Sequence, residues 1–123
     1  MGGKILIIDD DNDILETTGS ILAHEGFEIH TADSVERGLE LAEKVSPDIV
    51  LLDLMFPESK TRGFDAAREI KLRYPKLPII ILTAINREYA FDFTKQDIKA
   101  EEFLNKPVRS NKLIELIRLH IGG

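Results

Sequence analysis

The chain has 123 residues, a length that suits one domain with enough sequence to close a core. At 43% hydrophobic and 31% charged residues it is too apolar to be disordered, and its formal charge of −6 argues against nucleic acid or an anionic membrane as a direct partner. The lack of cysteine excludes a disulfide framework and a thiolate metal site and fits a reducing cytoplasm; no secretory signal or membrane-length apolar run occurs.

Met1-Gly2-Gly3 has Leu6 where a myristoylation motif needs Ser or Thr, so the opening reads as a cloning remnant. Lys4 to Ile8 is then a short continuous apolar run, as expected of a strand buried on both faces. Asp11 and Asp13 follow as cap and macrodipole partner of a helix whose apolar stripe is Ile14, Thr18, Ile21 and Leu22, and Gly26 marks its end. Phe27 to Thr31 is a second strand. Asp33, with Glu36 three residues on, announces a helix with Val35, Leu39 and Ala42 on one face, closed by Pro47. Asp48 to Leu52 is a third strand, followed by a helix carrying Phe64, Ala67, Ile70 and Tyr74 and closed by Pro75. Pro78 to Leu82 is a fourth. The next helix, within residues 86–96, is expected to be short or irregular, because Tyr89, Phe91 and Phe93 give a mixed period. A fifth strand, Glu102 to Leu104, precedes a last helix with Leu113, Leu116, Ile117 and Ile121 on one face.

Five strand-helix alternations predict an α/β domain with a parallel sheet, helices on both faces and right-handed crossovers. In such sheets a ligand site lies beyond the carboxyl ends of the strands, where strand order reverses. The stretch PDIVLLDLMFP, residues 47–57, is the clearest pointer to it, since Asp53 ends a run of core-type residues where an ionised group is costly without cations or hydrogen bonds around it. The other strand ends hold Asp9-Asp10, Thr83-Ala84 and Asn105-Lys106-Pro107. The carboxylates suit a hard cation such as Mg2+, while Thr83 and Lys106 offer donors to an anion bound beside it. This is phosphoryl-transfer equipment.

An acidic pair after the first strand, an Asp after the third, Thr plus a small residue after the fourth and Lys-Pro after the fifth resemble the pattern of a response regulator receiver domain, the CheY-like superfamily of two-component systems. The resemblance covers essentially residues 1–123 as a single receiver domain. It implies a flavodoxin-like, doubly wound five-stranded parallel sheet of order 2-1-3-4-5 with five helices. It further implies that Asp53 accepts a phosphoryl group from a phosphohistidine on a sensor histidine kinase or phosphotransfer protein, in a cytoplasmic, Mg2+-dependent reaction that the domain catalyses on itself without being an enzyme in the ordinary sense. Asp10 would bind the metal directly, Asp9 directly or through water, and Asp53 and the Met55 carbonyl would complete the protein ligands. Lys106 and Thr83 would each hold a phosphoryl oxygen, and Thr83 with Phe103 would form the switch that alters a surface read by a downstream effector. Ala84 would leave the approach to Asp53 open, Ile85 would screen water from the phosphoaspartate, and the Lys106-Pro107 bond is a candidate cis peptide. Phosphorylation-dependent homodimerisation is common in the family, and Lys95, Lys99, Arg109 and Arg118 are candidate partners for acids in it.

The chain departs from the family pattern in two places. Residues 58–62, Glu-Ser-Lys-Thr-Arg, lengthen the loop before Gly63, and Lys99-Ala100 stands where Gly-Ala is usual before the fifth strand. Other classes fit less well. A flavin domain of this topology would need a Ser, Thr or Gly-rich phosphate loop where this chain has Asp-Asp-Asp-Asn-Asp, and a haloacid-dehalogenase-type phosphatase would need a second Asp where Met55 stands. The remaining alternative is a receiver-like interaction module that works without phosphorylation. His24, His30 and His120 lack metal-ligand spacing and read as incidental.

Overall fold

The structure, a computed structural model, describes residues 3–53, 62–83, 100–106 and 108–121. In chain order these form β1 (Lys4–Ile8), α1 (Asn12–His24), β2 (Glu28–Ala32), α2 (Val35–Val45), β3 (Ile49–Asp53), α3 (Arg62–Arg73), β4 (Ile79–Thr83), β5 (Glu102–Asn105) and α4 (Ser110–Ile121). The expected helix within 86–96 lies outside the described residues.

All the strand pairings are parallel and the sheet order is β2-β1-β3-β4-β5, as the alternation and the resemblance imply. Alternate side chains go to opposite faces. Leu6, Ile8, Val50, Leu52, Ile79 and Ile81 meet α2 and α3 through Val35, Ala42, Phe64, Ala67 and Ile70. Ile5, Ile7, Ile49, Leu51, Ile80 and Leu82 meet α1 and α4 through Leu15, Leu22, Leu113, Leu116 and Ile117. The central strand β3 is buried along its whole length, which is why its sequence is continuously apolar rather than alternating.

Three strands begin and end one residue later than the apolar runs suggested, at Glu28–Ala32, Ile49–Asp53 and Ile79–Thr83. Phe27 and Pro78 are therefore entry residues, Pro78 offering its carbonyl to the Val50 N–H at 3.0 Å but having no N–H to give. Asp53 and Thr83 belong to the ladder itself: Asp53 is in register with Leu82, and Thr83 with Asn105.

The helix signals need two corrections. Asp11 caps α1 as expected, its carboxylate accepting the N–H groups of Asp13 and Ile14. The cap of α2, however, is Ser34 rather than Asp33: the Ser34 hydroxyl accepts the Arg37 N–H at 3.2 Å, because Val35 is already the first helical residue. The stripe of α1 is also rotated. Its buried residues are Leu15, Gly19 and Leu22, whereas Ile14 and Thr18 are half-buried and Ile21 is 36% exposed. Gly19 on that side faces β2, where a Cβ would make an ordinary contact with the Ile29 side chain at 3.4 Å.

The turn into β5, doubtful on the Lys99-Ala100 pair, is held by a residue the family pattern did not single out. Glu101 accepts the Ile79 N–H at 2.8 Å and the Lys71 ammonium at 2.8 and 2.9 Å, while its own N–H donates to the Ile79 carbonyl at 2.9 Å. Lys71 also donates to the Leu77 carbonyl, so α3, β4 and β5 are tied at the end of the sheet opposite the acids. Two histidines pair with acids on the edge strands: His30 with Glu28, two residues before it on β2, and His120 on α4 with Glu102 on β5. The His30 contact, with the Lys4 charge adding to it, holds the Glu28 carboxyl below its ordinary range.

Helix α2 can lie close on β1 only because position 38 has no side chain: a Cβ on Gly38 would overlap Ile8 Cδ1 and approach Cγ1 to 2.8 Å. Gly38→Ala is expected to lower unfolding free energy by about 1–3 kcal/mol through overpacking, outweighing the roughly 1 kcal/mol that alanine offers a helix interior. Urea unfolding checks this, and a more stable variant would show that α2 has room to move.

Candidate functional site

The order reversal in this sheet falls between β1 and β3, the two strands that carry acids at their carboxyl ends. Beyond β1, Asp9 is 2% exposed, its N–H donating to the Ala32 carbonyl at the end of β2. Asp10 is exposed, and Asp53, the last residue of β3, is 4% exposed. One oxygen from each of these three carboxylates lies within 4.8 Å of the others.

Two buried carboxylates side by side would be unstable without positive charge. Lys106, just past β5, supplies it. Its Nζ donates to Asp9 Oδ2 at 2.8 Å and lies 3.6 Å from Asp53 Oδ1. The other Asp9 oxygen accepts the Asp11 N–H at 3.0 Å, so the loop that caps α1 also orients the acid. Lys106 is itself mostly shielded, with 18% of its side chain exposed. The ion pair thus links the ends of β1 and β5, which are separated in the sheet by β3 and β4.

The expected residues are in part brought together. Asp9, Asp10, Asp53 and Lys106 form one cluster. Thr83 ends β4, adjacent to β3 and one position beyond Leu82, the partner of Asp53. Phe103 is half-buried on β5 and packs against the core on the α2 and α3 side. Met55, Ala84, Ile85, Pro107, residues 58–61 and the Tyr89 to Phe93 segment lie outside the described residues, as do Lys95 and Lys99. Arg118, a candidate for contacts between copies, is already engaged within the chain: it pairs with Glu25 at 3.0 Å and stands 5.8 Å from the centre of the Phe27 ring.

The displaced residues of α1 have a place here too. Ile14, Thr18 and Ile21 line one wall of an open, mainly apolar groove of about 610 Å³, with Val108 and Leu113 opposite and Lys106 at one end. Their helical spacing was legible, but a stripe lining a groove looks the same in sequence as a stripe sealed in a core.

The donor set fits Mg2+. Three carboxylates, one exposed and two buried, offer hard oxygen ligands of the kind that cation takes, in a number that leaves positions for water or phosphate oxygens.

A doubly wound α/β domain with an acid and lysine site at its order reversal is the class this geometry defines. The chain belongs to the response regulator receiver domain family, whose sequence model it matches over residues 5–118. It is similar to a CheY-like receiver domain protein from Methanospirillum hungatei JF-1, at 27% identity and a TM-score of 0.89, over 99% of this chain and 95% of that one. A receiver domain protein from Clostridium thermocellum matches at 34% identity and a TM-score of 0.86, over 99% and 95% of the two chains. NtrX from Brucella abortus matches at 28% identity and a TM-score of 0.87, over 99% of this chain but 28% of that one.

Removing Lys106 leaves Asp9 and Asp53 buried without their cation. Lys106→Met should lower the unfolding free energy of the metal-free protein by about 1–3 kcal/mol, less than for a fully buried pair because the ammonium is partly solvated. Urea unfolding in the presence of EDTA measures it; unchanged stability would mean that the pair contributes nothing to holding the acids.

Proposed function

We propose that the domain is a phosphoacceptor switch in which Asp53 takes a phosphoryl group from a phosphohistidine on a sensor histidine kinase or phosphotransfer protein. The observation that carries this reading is the buried Asp53 carboxylate within 3.6 Å of the Lys106 ammonium, beside two further acids. An Asp53 oxygen would attack phosphorus, forming an O–P bond as the N–P bond breaks and its electron pair returns to the histidine nitrogen. Lys106 would pair with a phosphoryl oxygen, offsetting charge that develops in the transition state.

Asp10, Asp9 and Asp53, with the Met55 carbonyl, would hold Mg2+. Bound there, the ion neutralises charge on the transferring oxygens. Asp10 is the exposed member of the set and the one open to an arriving ion. Asp9 is fixed by its contacts to Asp11 and Lys106 and shapes the site around it.

Thr83, at the end of β4, would hydrogen-bond the phosphoryl group, a contact available only in the phosphorylated state; such a differential contact is what moves a conformational equilibrium. Phe103, only half-buried, would follow it inward. Ile85 would keep water from the phosphoaspartate and make self-dephosphorylation slow. The changed surface would be read by a downstream effector, either a domain of the same protein or a separate one, or by a second copy. The groove between α1 and α4, which has Lys106 in its lining, would give a donor protein an apolar seat. The setting would be the cytoplasm, with no direct nucleic acid or membrane contact by this domain; among the described residues no helix is long and apolar enough to cross a membrane.

Intact-mass measurement after incubation with acetyl phosphate and Mg2+ tests this. The wild type should gain the mass of one phosphoryl group and Asp53→Asn should gain nothing. An unmodified wild type would favour a receiver that works without phosphorylation; a modified Asp53→Asn would move the acceptor elsewhere.

A further inference from the structure

Leu72 is out of keeping with the rest of α3. Phe64, Ala66, Ala67 and Ile70 of that helix are each at most 2% exposed, whereas Leu72 is 73% exposed, the most exposed large apolar side chain among the described residues. It lines a groove of about 230 Å³ between α2 and α3, whose apolar lining also includes Val35, Leu39 and Ala66. A single exposed leucine is ordinary on a protein surface. Here, however, the charges on either side of it are sorted by helix.

On α2, Glu36, Glu40 and Glu43 are exposed and recur at helical spacing, so they form one stripe, which the helix geometry sets beside Leu39. Arg37 lies on the other flank, lining a separate hollow with Asn12, Thr31 and Asp33. On α3, both exposed arginines of this face flank Leu72, Arg68 one helical turn before it and Arg73 next to it. Each is engaged within its own helix, Arg68 with Asp65 at 3.5 Å and Arg73 with Glu69 at 3.3 Å, through side chains that are about half exposed. Exposed pairs of this kind contribute little and exchange partners readily. The face therefore carries an acidic stripe on one helix and two exchangeable arginines on the other, with an apolar groove and an apolar side chain between them.

We propose that the α2 and α3 face is a self-association surface, on which a second copy of this chain places its Leu72 in the groove. Both helices connect strands of one parallel sheet and so run in the same direction. A two-fold axis along that direction lays α3 of each copy on α2 of the other, a contact that uses the same patch twice. Leu72 then enters the second copy's groove beside its Leu39, and Arg68 comes opposite the second copy's Glu40. Complementary charge sets the register, and the small apolar contact makes the dimer weak and reversible. Because α2 and α3 pack on the face of the sheet opposite α1 and α4, this pairing uses neither Arg109 nor Arg118 and leaves the groove between α1 and α4 on the outside of the dimer.

Sedimentation velocity of the unphosphorylated chain, from about 10 μM to about 1 mM, reads the association directly. The wild type should pass from monomer to dimer across this range. Leu72→Glu, at an exposed position where the fold loses little, should stay monomeric throughout. Arg68→Glu and Glu40→Arg should each weaken the dimer roughly tenfold, and the two together should restore it to within about threefold of the wild type, because the exchanged charges meet again across the interface. A wild type that stays monomeric at every concentration overturns the proposal. So does a dimer that survives Leu72→Glu unchanged, or a double variant that associates no better than the single ones.

Discussion

One ammonium holds the end of this sheet together. Asp9 and Asp53 are carried to the carboxyl edge by two adjacent strands that are buried on both sides, and neither can reach bulk water. Left alone they would repel each other in a poorly polarisable setting. Lys106 reaches in from beyond β5 to sit against both, at 2.8 and 3.6 Å. The position of β5, the cap of α1 and the acidity of the site are all tied to that contact.

The fold delivers these groups with little tolerance. In a parallel sheet all strands point one way, so the residues just past their ends converge whatever their distance in sequence. The close approach of α2 at Gly38 and the Glu101 and Lys71 tie at the opposite end keep β1, β4 and β5 in place. Stability and chemistry are thereby separated along the strands: apolar side chains fill the middle, a charged clamp closes one end, and the acids occupy the other.

Much of this was legible because the signals were redundant. Continuous Ile, Val and Leu runs gave the strands, and the polar residue ending each run gave the acids and Lys106, since only a charge with a partner survives there. What was not legible has physical causes. A period of 3.6 identifies an amphipathic helix but not which flank of the stripe is sealed, and Ile14, Thr18 and Ile21 of that stripe line a groove while Leu15 and Gly19 are buried. Asp33 and Ser34 are both good caps, and only the position of the first helical turn decides between them. Glu101 reads in sequence as one more surface acid; its role depends on Lys71, brought near by the fold from thirty positions away. The contacts of Asp9 with Asp11 and Lys106 are invisible without distances, because sequence tells which residues converge and not which atoms they share.

The central claim is that Lys106 is shared between Asp9 and Asp53 and moves to whatever Asp53 carries. A crystal structure with Mg2+ and beryllofluoride, a mimic of the phosphoryl group, tests it most directly. The account requires beryllofluoride on an Asp53 oxygen with Lys106 Nζ bonded to one of its fluorines. Beryllofluoride absent from Asp53, or bound there with Lys106 still on Asp9 alone, would contradict it.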